Sequence, residues 1–493
     1  MYSFNKSQKS AYHFVKLITE NIHREKNIER AFYLAEWCAR FLVENTCGIY
    51  RLDELENNLA ERFSKRNMTP KNSKKEIHLA SEIYNTGGHT RLLQELVRCS
   101  KKSCDVLLTR EQINKPDAKI IQIDNGEILV IKSETTYEIV FEIYYIASQY
   151  DVIFVHIHPD DIICAVALNL IRRDFKDKKI VFINHSDHTF SVGLASASVV
   201  YEISSYGWAL RQKRGCSEYS SFIGIPITSK TDEAKETNNN YLIMTAGSSY
   251  KFKPTKDLSL PIILEKILIA IPHATFLVVG PKFFNYWWWS LRLKFPKRVS
   301  IKSAIPYKDY VNQLSKSTVY LDSLPMTGGT AFTEALIQGK SVTSVLGPIS
   351  GYGMADLLRV TSVDALICSI NSLFQNETTA IKQQEQIRLL AINFHATKSV
   401  RERLEQTISQ GKMHPPPIGL KPTPLPLWFE HVWNEDGKTI AAGFRNNNQV
   451  RMIFWTISKL FIKSHGVIHS PLIMLTLKAL KIKIINWATK NIN

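Results

Sequence analysis

The first 70 residues carry apolar side chains at helical spacing. Ala31, Leu34, Ala35, Cys38 and Leu42 recur every three or four residues, and the stretch LDELENNLAERF repeats that pattern. The pattern therefore predicts an N-terminal helical segment over residues 1–70. The basic, polar run SKRNMTPKNSKK that follows is typical of a linker.

From residue 76 the pattern changes to short apolar strands that alternate with amphipathic helices. Strands are predicted over IHLASEIY, CDVLLT, IIQID, DVIFVHIH, KIVFINH and SSFIGIPI, with helices over TRLLQELVRC and DIICAVALNLIRRDF between several of them. This alternation predicts a parallel sheet that is covered by helices on both faces. The first such domain is predicted over residues 76–227.

A second block of the same kind follows the polar linker TSKTDEAKETNNN. It contains the strand candidates YLIMTAGS, ATFLVVG, RVSIKSAI, TVYLDSL and SVTSVLG, with helices over LPIILEKILIAI and YKDYVNQLSKS. The pattern predicts a second α/β domain over residues 241–410. In two such domains, ligands bind beyond the carboxyl ends of the strands, which here face a cleft between the domains.

The last part of the chain, residues 411–493, has a different composition. A proline-rich stretch, HPPPIGLKPTPLPLW, is predicted to be an ordered segment that crosses between the domains. Residues 450–493 mix lysines with Trp, Phe, Leu and Ile, and they are predicted to form a basic amphipathic helical tail that contacts an anionic membrane surface.

Composition narrows the class of protein. The chain has 493 residues, 62 Lys and Arg against 45 Asp and Glu, and a formal net charge of +17, which favours anionic partners. The basic residues are dispersed and match no known reading module, so we expect no nucleic-acid binding. Seven cysteines without a C-x-x-C pair, no apolar N-terminal leader and no long apolar run predict a cytoplasmic protein.

The glycine-containing loop NTGGHTRLLQELVR is the first candidate for chemistry. Gly87 and Gly88 lie between a predicted strand and a helix, where backbone N–H groups approach phosphate or acceptor oxygens. His89 follows at the mouth of the cleft and is a candidate general base. A plain strand-to-helix turn with a surface histidine is the alternative.

Two polar clusters follow strong strands, in HIHPDDIICA and INHSDHTFSVG. His185, Asp187 and His188 are candidates for acceptor binding or acid–base catalysis, against the alternative of simple loop capping. The spacing matches no familiar metal signature, and the chain has no D-x-D, so no metal ion is expected. In WALRQKRG, Arg211 and Arg214 are candidates for phosphate or acceptor binding, with a solvated charge run as the alternative.

The strongest candidate is a loop before a helix, LDSLPMTGGTAFTEALIQGKS. Thr327, Gly328, Gly329 and Thr330 are predicted to surround a phosphate at the helix start, and Glu334 to accept hydrogen bonds from ribose hydroxyls. The alternative is an acidic residue that only complements the helix dipole. Earlier in the same domain, Lys251 in TAGSSYKFKP is predicted to neutralise a diphosphate leaving group.

An aromatic run, FFNYWWWSLRLKFPKR, shows no core periodicity. Three consecutive tryptophans cannot share one buried helix face, and cations flank them. The run is predicted to form an interfacial belt or an acceptor platform.

Together these segments resemble the GT-B glycosyltransferases. The stretches YLIMTAGSSYKFKP, PHATFLVVGP and residues 298–347 are similar to the C-terminal half of the O-GlcNAc transferase/SPINDLY-like group and related bacterial enzymes, and INHSDHTFSVG is similar to a His-x-Asp-His segment in the latter. The resemblance implies that Lys251 binds the donor diphosphate and that Asp322, Gly328, Thr330 and Glu334 occupy the donor site in order. Gly329 stands where the O-GlcNAc transferases have a histidine.

What the resemblance implies is a GT-B fold and metal-independent, inverting transfer from a nucleotide-sugar, with UDP as the expected nucleotide and no cofactor. The expected acceptor is a glycan or a lipid-linked hydroxyl in bacterial lipopolysaccharide or surface polysaccharide assembly, at the inner face of the cytoplasmic membrane. Protein O-glycosylation and nucleotide-sugar 2-epimerisation on the same fold are the alternatives.

Overall fold

The computed structural model describes residues 6–44, 47–63, 74–84, 88–100, 103–110, 121, 123, 125–228, 240–255, 258–347 and 350–420. Three helices come first, as the apolar spacing predicts: α1 (Lys6–Arg24), α2 (Ile28–Glu44) and α3 (Asp53–Glu61). Their apolar faces share one core with the domain that follows, in which Phe63 stacks on Tyr137 with the ring centroids 5.2 Å apart.

The first domain is built on a parallel sheet of seven strands within the described residues. The strands are β1 (Lys74–Ala80), β2 (Cys104–Leu108), β3 (Ile128–Val130), β4 (Tyr150–His156), β5 (Lys179–Ile183), β6 (Val199–Glu202) and β7 (Ser220–Phe222), in the order β3-β2-β1-β4-β5-β6-β7. The helices are α4 (Gly88–Cys99), α5 (Thr136–Ala147), α6 (Ile162–Asp174) and α7 (Ser205–Leu210). In the register, Ala80 pairs with His156, so β1 and β4 end at the same sheet edge.

The second domain repeats the arrangement with a parallel sheet of six strands in the part described. They are β8 (Leu242–Ala246), β9 (Thr275–Gly280), β10 (Val299–Ser303), β11 (Val319–Leu321), β12 (Ser341–Val345) and β13 (Arg359–Val360), in the order β10-β9-β8-β11-β12-β13. The helices are α8 (Leu260–Ala270), α9 (Trp289–Lys294), α10 (Tyr307–Lys316), α11 (Gly329–Ile337), α12 (Val363–Phe374), α13 (Thr378–His395) and α14 (Thr397–Gln410).

The last helix, α14, lies against the first domain. Arg401 pairs with Glu76 of β1 at 2.6 Å, and Arg403 Nε donates to the Ile223 carbonyl at 2.9 Å. The segment after it continues there, because Phe222 N donates to the His414 carbonyl at 2.7 Å. The chain thus returns from the second domain to the first before residue 420. The domain boundaries given by the sequence remain predictions.

One predicted strand is wrong. Ile121 and Ile123 of IIQID are not in a strand, and the edge strand is instead β3 at Ile128–Val130. A Cβ on Gly126 would lie 2.0 Å from the Cys104 carbonyl oxygen, so the close approach that starts β3 beside β2 needs this glycine. Apolar content alone did not reveal that constraint. The short strands β6 and β13 and helix α5 were not predicted either.

Candidate active site

The loops at the carboxyl ends of the two sheets face each other across a cleft. The start of α4 in the first domain lies close to the start of α11 in the second, because a Cβ on Gly88 would lie 3.4 Å from Thr330 Oγ1. A backbone hydrogen bond of 2.9 Å from Ser205 N to the Gly351 carbonyl also joins the domains. Gly87 lies outside the described residues. The predicted loop and helix starts are therefore brought together.

Glu334 is the centre of a contact between the domains. Its side chain is 2% exposed, and both carboxylate oxygens accept from Arg91 of α4, each at 2.7 Å. Tyr307 donates its hydroxyl to Glu334 at 2.5 Å, and its ring lies 4.4 Å from the Arg91 guanidinium. In this structure Arg91 is thus paired with the Glu334 carboxylate, which the sequence analysis predicted to accept hydrogen bonds from a ribose.

Asp322 shapes the loop before α11 from within the protein. Its Oδ1 accepts from Ser323 N at 2.8 Å and Gly328 N at 2.9 Å, and its Oδ2 pairs with the buried Arg359 at 2.6 Å. Burial and Arg359 hold this carboxylate behind the loop. Asp322 therefore positions the turn rather than facing the cleft.

The two glycines at the start of α11 are explained by packing. A Cβ on Gly328 would lie 2.7 Å from Asp322 Oδ1, and one on Gly329 would lie 2.8 Å from the Tyr352 ring. Both positions therefore need glycine whether or not a phosphate binds. Thr327 is buried, and Thr330 is partly exposed beside Gly88.

Lys251 reaches the same loop. Its Nζ donates to the Thr327 carbonyl at 3.2 Å, and burial lowers the pKa of the ammonium, while Asp322 acts to raise it. An ammonium has three donors, so an anionic oxygen at this point would meet further N–H groups of Lys251. Lys251 therefore lies beside the loop before α11, and its role in diphosphate binding stays a prediction.

His89, at the start of α4, has one ring nitrogen with a partner and one without a partner among the described residues. Its Nε2 lies 2.9 Å from the His156 carbonyl oxygen, and because a carbonyl only accepts, this nitrogen carries the proton. The other nitrogen, Nδ1, is buried and has no hydrogen-bond partner in the described residues. Burial, reinforced by His158, lowers the pKa of His89 to about 4, so the ring is neutral at pH 7.

A chain of imidazoles runs inward from the cleft. His185 Nε2 lies 2.9 Å from His156 Nδ1, and His156 Nε2 lies 2.9 Å from His78 Nδ1. The His89 and His185 rings lie 4.2 Å apart. Burial holds the pKa of His156 and His185 well below the usual value. His185 is therefore hydrogen-bonded to His156, whereas the Nδ1 of His89 has no partner in the part of the chain that the structure describes.

Asp187 and Arg214 belong to a buried polar cluster. Asp187 accepts from Ser204, which caps α7, and Arg214 donates to the Asp187 and Thr189 carbonyls. Arg214 is 1% exposed and lies 3.8 Å from Glu202, whose pKa burial raises to about 7. The phosphate role predicted for Arg214 is thus not supported, because its guanidinium faces protein carbonyls.

The remaining candidates lie at the surface of this region. His188 is partly exposed, with Nδ1 3.6 Å from Asp187 Oδ1. Arg211 stacks on Trp208 at 3.8 Å, and its Nη1 donates to the Trp208 carbonyl at 2.5 Å. It lines a surface pocket of about 480 Å³ with Trp208 and the crossing segment 416–420.

The two acidic residues of HIHPDDIICA, Asp160 and Asp161, are paired within the protein. Asp161 caps α6 and accepts from Ser81 at 2.5 Å and Thr109 at 2.7 Å. Asp160 pairs with Arg40 at 2.5 Å and with Arg110 at 3.1 Å. Among the described residues, no group of three or more His, Cys, Asp or Glu has the arrangement of a metal site.

Sequence reasoning missed several residues that shape the cleft. None of these residues belongs to a motif of its own: Arg91, Tyr307, Tyr352, Arg359 and the buried His78. Arg91 occurs one turn into the helix after the glycine loop, which is the one local signal for it. Its partner Glu334 is 243 positions away, so only the fold reveals the pair.

The two parallel α/β domains that face a cleft define the GT-B fold, as the sequence predicted. The structure is similar to HepE from Anabaena, solved with UDP and glucose, at 18% identity over 68% of this chain and 100% of that one, with a TM-score of 0.52. It is also similar to the lipopolysaccharide outer core galactosyltransferase WaaB at 15% identity over 69% of this chain and 100% of that one, with a TM-score of 0.50.

A mutant O-GlcNAc transferase of Thermobaculum terrenum is similar at 13% identity over 81% of each chain, with a TM-score of 0.51. No known protein-family profile matches the chain, and no curated protein matches it by sequence. At these identities the likeness establishes the fold. None of the helices in the described ranges has the length and apolar character that a membrane-spanning helix needs.

Proposed function

We propose that the protein is a glycosyltransferase that moves a sugar from a nucleotide-sugar to a hydroxyl acceptor. The observation that carries the proposal is the buried Nδ1 of His89, which has no hydrogen-bond partner among the described residues and belongs to the residue after Gly88, beside the start of α11. Transfer of a sugar to a hydroxyl needs a general base on one side of the cleft and a helix start that binds the anionic leaving group on the other.

In the proposed inverting reaction, the acceptor oxygen bonds to the anomeric carbon as the bond from that carbon to the diphosphate breaks. The acceptor proton goes to His89 Nδ1, and the diphosphate leaves as the nucleotide. Lys251 and the N–H groups that begin α11 stabilise the negative charge on the leaving group, so no metal ion is required. His185, Asp187 and His188 are then secondary candidates for the base.

UDP is the proposed nucleotide, since HepE, which shares the fold, was solved with UDP and glucose. Glu334 is the proposed ribose ligand, and the ribose hydroxyls must replace Arg91 on this carboxylate. The proposed acceptor is a glycan or a lipid-linked hydroxyl in lipopolysaccharide or surface polysaccharide assembly, a class to which WaaB belongs by its name.

The first experiment measures thermal stability with UDP, GDP and CMP, followed by UDP release from a panel of UDP-sugars with and without acceptors. A ligand at about 100 times its Kd stabilises by about 2.7 kcal/mol. Lys251→Ala should lower the rate of transfer at least ~100-fold, because the loss of one electrostatic contact to the leaving group has an effect of about that size. Lys398→Ala changes a lysine that is 88% exposed on α14 and is the matched control.

Near-normal turnover in Lys251→Ala would refute the donor site. For the base, His89→Ala should abolish transfer, and His188→Ala should retain it; the reverse result would reassign the base. Conversion of a UDP-sugar without acceptor would indicate the epimerase, and transfer to protein hydroxyls would indicate the protein O-glycosyltransferase.

The membrane tail is also a proposal. Residues 450–493 lie outside the described residues, and their basic, amphipathic sequence supports binding to an anionic lipid surface at the cytoplasmic face of the membrane. Removal of these residues should weaken binding to liposomes that contain anionic lipid. Equal binding by the shortened chain would refute the anchor.

A further inference from the structure

A cluster of large apolar side chains projects from the second domain near α9. This aromatic patch consists of Phe283, Phe284, Tyr286, Trp289 and Leu293, whose exposed fractions lie between 47% and 82%. The glycosyltransferase proposal uses none of these residues. Exposed apolar patches of this kind mark membrane or protein interaction sites.

The fold holds the aromatic patch outward. Trp288 is 2% exposed and packs against Phe252 with the ring centroids 5.6 Å apart, so it fixes the segment to the core. Trp289 Nε1 donates to the Phe283 carbonyl at 3.0 Å, which closes the loop on itself. The three tryptophans are therefore divided between core and surface, and the exposed rings are held in place by a buried neighbour.

Cations surround the aromatic patch. Residues 281–298 contain five Lys and Arg and no Asp or Glu. Of these, Lys282, Arg292, Lys294 and Lys297 are exposed. Lys294 reaches Glu265 of the adjacent helix α8 at 2.6 Å, and the other three exposed cations have no acidic residue within their own segment.

The outer face of the neighbouring helix α8 also combines exposed apolar and basic side chains. Ile262 and Ile269 are 59% and 66% exposed, and Lys266 is exposed between them. These three positions are spaced by four and three residues, so they lie on one face of the helix. An apolar face with a central lysine thus stands next to the aromatic patch.

We infer that the aromatic patch, with the outer face of α8, binds an anionic lipid surface. Aromatic rings and leucine enter the boundary between head groups and acyl chains, while lysine and arginine attract the lipid phosphates. A second copy of this chain fits less well, because a two-fold dimer through the patch places the same cations opposite each other. The inference stands on this surface alone and does not depend on the glycosyl transfer.

The test uses the full chain and vesicles of phosphatidylcholine with or without 30% phosphatidylglycerol. Amide hydrogen exchange locates the contact even if the tail also binds. On the anionic vesicles, peptides that cover residues 260–270 and 282–294 should exchange more slowly, and peptides that cover α13 should be unchanged. A chain that binds the vesicles without protection at 282–294, or that does not bind them, overturns the inference.

A matched pair of variants measures the strength of the contact. Phe283→Ser with Phe284→Ser removes two rings, and Leu389→Ser with Leu390→Ser removes two side chains that are 51% and 48% exposed on α13. The first pair should weaken partition into anionic vesicles at least ~10-fold, from the apolar area withdrawn from the interface. The second pair should leave it unchanged.

Because the four side chains are exposed, both variants should keep the melting temperature of the parent chain. Equal loss in the two pairs, or no loss in either, refutes the inference. A change of oligomeric state in the Phe pair, with lipid binding intact, assigns the patch to a second copy and also refutes it.

Discussion

The contact between Arg91 and Glu334 makes a prediction with two separable parts. Glu334 is 2% exposed and Arg91 is 33% exposed, so the two partners differ in their access to water. Arg91→Ala leaves a buried carboxylate with hydrogen bonds from Tyr307 and Gln338, and uncompensated buried charge costs about 3–5 kcal/mol. Glu334→Gln leaves a guanidinium that water can reach, and we expect it to cost roughly 1–2 kcal/mol.

Urea unfolding of the two variants measures this asymmetry. The matched control is Arg98→Ala on the same helix, where Arg98 is 47% exposed and lies 3.4 Å from Glu95. A surface pair of that kind contributes at most ~1 kcal/mol. If Arg91→Ala were no less stable than Arg98→Ala, the contact across the cleft would not exist in solution.

The second part concerns nucleotide affinity. If ribose hydroxyls replace Arg91 on Glu334, the free protein must first give up two charge-assisted hydrogen bonds, and Arg91→Ala no longer bears that cost. Arg91→Ala should therefore bind UDP more tightly than the parent, by roughly 10-fold if about 1.4 kcal/mol of the contact is recovered. Titration calorimetry with UDP measures this. Weaker binding would mean that Arg91 itself holds the nucleotide and that the ribose role of Glu334 is wrong.

Further predictions concern protonation and packing. His78, His89 and His395 have pKa values of about 3, 4 and 4, against 6.5 when unfolded, chiefly because burial disfavours the charged ring. Between these pKa values the unfolded chain binds more protons than the folded chain. The free energy of unfolding should therefore be highest above pH ~6.5 and decrease as the pH falls towards ~4. An unfolding free energy that does not change between pH 7 and pH 5 would contradict this. Gly329→Ala should cost about 1–3 kcal/mol in urea unfolding, because its Cβ meets the Tyr352 ring at 2.8 Å. Gly88→Ala should lower the free energy of unfolding much less, because its Cβ would make an ordinary contact of 3.4 Å. Equal losses in the two variants would show that the Tyr352 ring moves aside freely.

Local pattern alone determined much of this protein. Alternating apolar strands and helices predicted two parallel sheets, and the structure has them, because strands buried on both faces must be continuously apolar. The glycine-containing loop before α4 and the loop before α11 were identified in the same way, since strand ends, glycines and helix starts are signals within a few residues. The resemblance to the GT-B glycosyltransferases implies that Lys251 and the start of α11 share one site, and Lys251 contacts the loop before α11.

The tertiary structure alone decided which polar groups are available in the cleft. The sequence analysis predicted that Arg214 and Asp322 contact a ligand. In the structure Arg214 donates to backbone carbonyls, and Asp322 accepts from backbone N–H groups and from Arg359. Glu334 meets Arg91 from the other domain. Because the Nε2 of His89 donates to the His156 carbonyl, its Nδ1 is an acceptor, and it has no partner among the described residues. Hydrogen bonding and burial depend on neighbours that are distant in the chain, and local periodicity carries no information about them.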